Sequence, residues 1–290
     1  MNTLPLSWSI TNLDSESSSV ISRWDIDWIA LKNLSDYNLN FSSITGNNNI
    51  VIRGCNSEIK EHLDKKGFSA FKIGREAILS TDQNHFKKKS LRELVKRGNK
   101  NGTVVSLPYN STNKIKLQKF RKKSVHGKEP QLLNLFQTEF SEQNFLYVLK
   151  DKCDNWLGAV LLSENSKEKL QTELILRFDS TPNGTMEAIF YKIFNDAKLK
   201  GYKQFSLGEV PFTIHKHSKS LYGQLLKVTL PFLKIGFNFN SLYNFKNKFE
   251  PMWDDLYICT SKKINAKHIL FLILQTNFHK LFFNKLKNGF

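Results

Sequence analysis

Between Phe145 and Val210 strand-length apolar runs give way to one long helical pattern and then return, an order met by a sheet with helices packed on it. Phe145–Leu149 and Trp156–Leu162 read as two strands joined by the polar turn Lys150-Asp-Lys-Cys-Asp-Asn155, with residues 163–169 a polar loop and 172–178 a third strand. Asp179-Ser-Thr-Pro-Asn-Gly184 breaks that strand. Thr185–Leu199 follows as an amphipathic helix ending near Gly201, and Phe205–Val210 is a fourth strand. Upstream, short strands over Arg23–Cys55, a helix over Glu58–Lys66 stopped by Gly67 and a strand over Phe68–Leu79 continue the pattern. The expected class is α/β with a mixed sheet.

A chain of 290 residues has room for two lobes. We place an N-terminal lobe at 1–128, with a loose polar lead-in over 1–20. A second lobe spans 129–263 and opens with a bridging helix over Glu129–Glu142, and a basic amphipathic helix spans 264–290. That last helix either lies in a lipid interface or packs on the body of the protein. Forty-three Lys and Arg against 26 Asp and Glu give +17, which favours a polyanionic partner, nucleic acid or an anionic membrane surface. Residues 84–102, NHFKKKSLRELVKRGNKNG, form a basic helix with Leu91, Leu94 and Val95 on one face. Its Arg92, Arg97 and Lys100 are candidate polyanion contacts, and a second basic run covers Lys114–Lys128.

Cys55, Cys153 and Cys259 are too scattered for a disulfide framework or a paired-cysteine zinc site. His215-x-His217 lacks a third ligand at a recognisable spacing, so no metal is expected. The longest apolar stretch, Ile269–Leu274, falls far short of the ~20 residues of a spanning helix. Met1–Leu13 carries no secretory pattern. The expected setting is cytoplasmic, peripheral at the inner face of the membrane.

Five pieces stand in one order: GFSAFKIGREAIL (67–79), LRELVKRGNKNG (91–102), RFDSTPNGTMEAIFYKI (177–193), GYKQFSLGEVPF (201–212) and FKNKFEPMW (245–253). Together, over residues 56–260, they resemble the C-terminal catalytic domain of the phosphatidylglycerol lysyltransferase family, the multiple peptide resistance factors. The resemblance implies tandem acetyltransferase-like (GNAT-type) lobes that move an aminoacyl group from tRNA to a phosphatidylglycerol hydroxyl. Charged tRNA is then the donor substrate, and neither a metal nor a nucleotide cofactor is implied. Three departures from that pattern are expected: no membrane-spanning half, a shortened first lobe, and Leu174 where the family has Asp three residues before the Arg.

An aminoacyl ester is already activated, so its transfer needs positioning, a base and oxyanion stabilisation but no covalent nucleophile. Arg177 and Asp179 share one face of a strand. With the resemblance behind them, Arg177 and Lys248 are expected to hold the tRNA terminus and the oxyanion while Asp179 orients or deprotonates the acceptor. Because of Leu174, Glu173 and Glu209 are alternative bases. The alternative reading of Arg177 and Asp179 is an ion pair that pins the turn. In Ser206-Leu-Gly208-Glu209 the glycine permits close approach and Glu209 is placed to orient the substrate amine. Lys246, Lys248 and Glu250 alternate among aromatics, as a strand holding phosphate or ribose would have them. Asn183 and Tyr243 complete the candidate substrate contacts.

Three other readings stay open. The acceptor is a soluble small molecule; or the chain is a coenzyme A-dependent acyltransferase, although Asp179–Gly184 lacks the Gly-rich pyrophosphate loop such enzymes use; or it binds RNA without catalysis.

Overall fold

The computed structural model of the protein describes residues 18–23, 26–31, 49–125, 127, 129–130, 144–211, 239–262, 274 and 278–287. Its strands are β1 (Ser18–Arg23), β2 (Ile26–Leu31), β3 (Asn49–Cys55), β4 (Ser69–Ser80), β5 (Thr103–Pro108), β6 (Phe145–Lys150), β7 (Trp156–Ser166), β8 (Lys169–Arg177), β9 (Gln204–Pro211) and β10 (Met252–Thr260). They form one ten-stranded sheet in the order β1-β2-β3-β10-β4-β9-β8-β7-β6-β5. The sheet is mixed: β2–β3 and β8–β9 pair in parallel and the other neighbours antiparallel. The helices are α1 (Ser57–Asp64), α2 (Lys89–Asn101), α3 (Ser111–Lys123), α4 (Thr185–Leu199), α5 (Phe239–Asn247) and α6 (Phe278–Lys287).

The unbroken apolar run of β6 follows from burial on both faces. Tyr147 and Leu149 join Val160, Leu162 and the α4 residues Phe190, Ile193 and Phe194 in one core. Leu146 and Val148 join Ala159, Leu161 and the α3 residues Leu117 and Phe120 in a second core on the opposite face. Burying one side chain of Phe190's size contributes roughly 1.5–3 kcal/mol. α2 lies against the start of α4 through two glycines. A Cβ on Gly98 would come 2.3 Å from the Gly184 carbonyl oxygen, and one on Gly184 would come 2.1 Å from that of Leu94. Gly184, the N-cap of α4, also takes φ 94°, which favours glycine.

The α/β class and the α4 boundaries agree with the sequence reading, and other elements differ. The polar stretch 163–169 is no loop: β7 runs to Ser166 and β8 begins at Lys169, because Ser163, Lys169 and Gln171 are buried within the sheet. Lys246 does not alternate with Lys248 and Glu250 along a strand, since α5 runs to Asn247 and the strand β10 starts only at Met252. That strand is central, hydrogen-bonded to β3 on one side and β4 on the other. The basic run begins as α3, capped by the Asn110 side chain, which accepts from Asn113 N at 3.0 Å.

The described strands before and after residue 128 belong to one sheet. β5 pairs with β6, and β10 lies between β3 and β4. Of the expected helix over Glu129–Glu142 only residues 129–130 are described, and they are not helical; the rest of it, the His215–His217 pair, most of the lead-in and residues 263–273 of the C-terminal segment lie outside the described residues. Among the described residues no helix is long and apolar enough to cross a membrane.

Candidate active site

β8 and β9 pair only through Lys169–Gln204, Leu170–Phe205 and Gln171–Ser206. Thr172 closes this ladder, its hydroxyl donating to the Ser206 carbonyl oxygen at 2.9 Å. Beyond it each strand follows its other neighbour, β8 pairing with β7 as far as Arg177–Gly158 and β9 with β4 as far as Pro211–Gly74. The sheet therefore opens between them. A bulge marks the opening: Glu76 pairs with Glu209 and Ile78 with Ser206, which sets Leu207 and Gly208 against Ala77 alone. Gly208 takes φ 85°, and its N–H donates to Ser206 Oγ at 3.0 Å.

Lys246, from the last turn of α5, reaches into this opening and donates from Nζ to the Glu209 carbonyl oxygen at 2.9 Å. A Cβ on Gly208 would meet that Nζ at 3.4 Å and the Thr172 carbonyl oxygen at 3.5 Å, ordinary contact distances, so the backbone conformation is what favours glycine there. Burial pulls the Lys246 pKa down to about 7, against the opposing pull of the Glu209 and Glu76 carboxylates. An amine that is part-protonated near neutral pH can donate to a developing oxyanion or exchange a proton.

A buried polar set lines the strand face turned away from α4, where side chains alternate with the apolar ones. The Glu76 carboxylate accepts from Lys169 Nζ at 2.9 and 3.0 Å on its two oxygens and from Ser206 Oγ at 2.5 Å. Asp254 pairs across from Glu76 on β10, and burial, reinforced by the Glu76 charge, raises its pKa. Glu173 is the extra residue of a second bulge, between the Leu161–Leu174 and Leu162–Thr172 pairs. Ser163 Oγ donates to it at 2.5 Å. Burial lifts the Glu173 pKa to about 7, with the Ser163 hydrogen bond opposing and the Glu76 charge adding. Leu174 packs against the apolar core beside it. The Glu209 carboxylate pairs through Oε1 with Arg53 at 2.7 Å, and its buried Oε2 has no hydrogen-bond partner among the described residues.

Other candidates stand apart from this opening. Arg177 is exposed and donates to the Phe178 carbonyl oxygen at 3.3 Å; Asp179 is exposed, and the two make no ion pair. Thr181 pins that turn instead, its hydroxyl accepting from Phe178 N at 2.8 Å and donating to the Leu157 carbonyl oxygen at 2.9 Å. Lys248 pairs at 3.0 Å with Glu187 in the first turn of α4, and Asn183 lies exposed just before that helix. Glu250 pairs with Lys88 at 3.1 Å and Lys87 at 3.6 Å, at the entrance to α2. Tyr243 stacks on Trp253 with centroids 4.9 Å apart. Arg92, Arg97 and Lys100 are exposed on α2. Arg177, Asp179 and Lys248 make no hydrogen bond or ion pair with one another among the described residues.

His85 fixes the turn that carries Lys248 and Glu250. Its Nε2 accepts from Ser80 N at 3.0 Å, so Nδ1 carries the proton and donates to the Phe249 and Glu250 carbonyl oxygens at 3.0 and 3.2 Å. Neither His85 nor the Glu76–Lys169–Ser206 set is legible as part of a site from spacing alone. The available signal was the period-two recurrence Lys169, Gln171, Glu173, which a loop reading hides. Among the described residues no three His, Cys, Asp or Glu side chains gather as metal ligands.

A family model described as phosphatidylglycerol lysyltransferase, C-terminal, matches residues 40–260. The chain belongs to this family. A curated relative, the phosphatidylglycerol lysyltransferase of Bacillus subtilis (strain 168), is 22% identical over 220 residues, covering 71% of this chain and 26% of the relative. The match thus spans about a quarter of that protein's length. Among solved structures, L-PGS from Bacillus licheniformis superposes with a TM-score of 0.71 at 19% identity, over 90% of this chain and 85% of that one. The C-terminal DUF2156 domain of an Agrobacterium fabrum protein gives 0.69 at 20% identity, over 88% and 83%. At such identities these structures speak to the fold.

Proposed function

We propose that the protein transfers an aminoacyl group from charged tRNA to a hydroxyl of phosphatidylglycerol or a related lipid. The observation that carries this reading is the Lys246 ammonium held in the opening between β8 and β9, where an acyl carbon with one developing negative oxygen can be met by a fixed donor. The acceptor hydroxyl attacks the aminoacyl ester carbon and gives up its proton. The tetrahedral oxyanion collapses, the new ester forms, and the tRNA ribose oxygen leaves and takes a proton.

Glu173, with a pKa raised to about 7, suits the base role better than the exposed Asp179. Glu209 Oε2 suits the substrate ammonium, and Arg177, Lys246 and Lys248 supply positive charge for the tRNA end. Asn183, Tyr243 and Glu250, which stand apart from the opening, are assigned to contacts with the rest of the tRNA end.

Membrane contact finds support in α6, which buries Leu281 while leaving Phe283 and Leu286 exposed beside Lys280 and Lys287. The backbone of α2 packed on Gly184 covers the start of α4, where a coenzyme A pyrophosphate would have to sit, and this weighs against the coenzyme A reading.

The test is incubation with a pool of radiolabelled aminoacyl-tRNAs and phosphatidylglycerol vesicles. Label entering the organic phase with the parent and not with Lys246→Met supports the proposal. Label appearing only in a soluble acceptor, or no transfer at all, overturns it.

A further inference from the structure

Thirteen of the 43 Lys and Arg residues, against one of the 26 Asp and Glu, fall within residues 87–123. That stretch carries +12 of the chain's +17, so the basic balance is a local feature and not a compositional background. In the structure the stretch is α2, the terminal strand β5 and α3. α2 buries Leu91 and Val95 in the core that holds α4, whereas α3 buries Leu117 and Phe120 in the core on the other face. Two basic helices thus flank the sheet's edge on opposite sides, about 20 Å apart at roughly 10 Å per packed layer. Between them β5, TVVSLP, has no charge.

Few carboxylates among the described residues neutralise these cations. Among the described residues Lys87 and Lys88 share Glu250, and Lys116 reaches Asp154 at 3.8 Å; none of the other ten makes an ion pair. On α3, Lys119 and Lys122 are exposed on the side away from Leu117 and Phe120. Two rows of cations with a neutral ridge between them match two phosphate strands on either side of a groove. A flat lipid surface would find little to insert on this edge, since β5 exposes Thr103, Ser106 and Pro108 and Ile115 of α3 is the one large apolar side chain exposed there among the described residues.

We infer that α3 and β5 form the second half of an RNA-binding surface begun by α2, and that the sheet edge docks on a helical stem of tRNA through its backbone. The class of partner rests on the charge distribution, and its identity as tRNA rests on the proposed function.

The test uses the full chain with Lys119→Glu and Lys122→Glu together, measuring fluorescence anisotropy with uncharged tRNA over a salt series and sedimentation with anionic vesicles. The expected result is an affinity loss of about tenfold or more, a salt slope smaller by about 1 to 2, unchanged vesicle binding and an unchanged melting curve. Should the double Glu variant fold poorly, Lys119→Gln with Lys122→Gln gives the same slope change with a smaller loss. Parent-like affinity and slope would overturn the surface, as would lost vesicle binding with intact tRNA binding. If such a variant still transfers label from aminoacyl-tRNA, the proposed function stands without the surface. If the parent transfers nothing yet its RNA binding weakens with these changes, the surface stands without that function.

Discussion

The Lys246 ammonium donates to the Glu209 backbone carbonyl oxygen at 2.9 Å, while the Glu209 side chain turns to Arg53 at 2.7 Å. One residue thus anchors the lysine with its main chain and ties the site to β3 with its carboxylate. The remaining carboxylate oxygen is buried without a hydrogen-bond partner among the described residues.

Lys246→Met is expected to lower turnover by ~10²–10³, the usual cost of losing one preorganised donor. It also changes how stability depends on pH. The folded pKa of Lys246 is depressed to about 7 from 10.5, so the unfolded chain binds more protons between these values and the parent gains stability as pH rises through them. The slope from this group is about 1.4 kcal/mol per pH unit. Urea melts at pH 7 and 10 should show that gain in the parent and lose it in Lys246→Met; equal pH dependence would contradict the depressed pKa.

Glu173→Gln tests the base. With a base that must be deprotonated and a donor that must be protonated, both titrating near 7, the rate should follow a narrow bell centred there. The variant should lose most turnover and the acidic limb with it. The raised folded pKa of Glu173 gives stability that is fully present below the ordinary value of 4.5 and is lost as pH rises through about 7. At pH 8 Glu173→Gln should therefore melt at or above the parent. Retained activity in Glu173→Gln with loss in Asp179→Asn would return the base to Asp179.

Lys248→Ala separates chemistry from stability. Its bond to Glu187 joins a half-exposed lysine, 44% accessible, to a carboxylate only 7% accessible, so losing the lysine should cost the folded state about 1–3 kcal/mol. Turnover should nevertheless fall by ~10²-fold if Lys248 holds the tRNA end. A drop in melting temperature that accounts for the lost activity would remove Lys248 from the site.

Phe283→Ser with Leu286→Ser tests membrane contact through α6. Both side chains are exposed, while Leu281 of the same helix is 3% accessible and anchors it to the body. Flotation with anionic vesicles should show weakened binding with an unchanged melt. Removing the whole helix would confuse the two effects, because Leu281 is core.

The sequence by itself determined the pieces whose period matches their burial. α4 is legible because its apolar residues recur at helical spacing and Gly184 and Gly201 bound it, and β6 because a short apolar run buried on both faces has few other uses. The basic helix α2 and Gly208 at the start of the opening were readable in the same local way, whereas Lys246 became a candidate through the resemblance and its local period was read as a strand. What tertiary structure decided depends on which strands become neighbours. Ser163 and Lys169 looked like loop because polarity predicts exposure, until Glu76 and Glu173 satisfied part of that polarity inside the sheet. The insertion of β10 between β3 and β4, and the parting of β8 from β9 that admits Lys246, come from pairings between residues far apart in sequence, which no local period encodes.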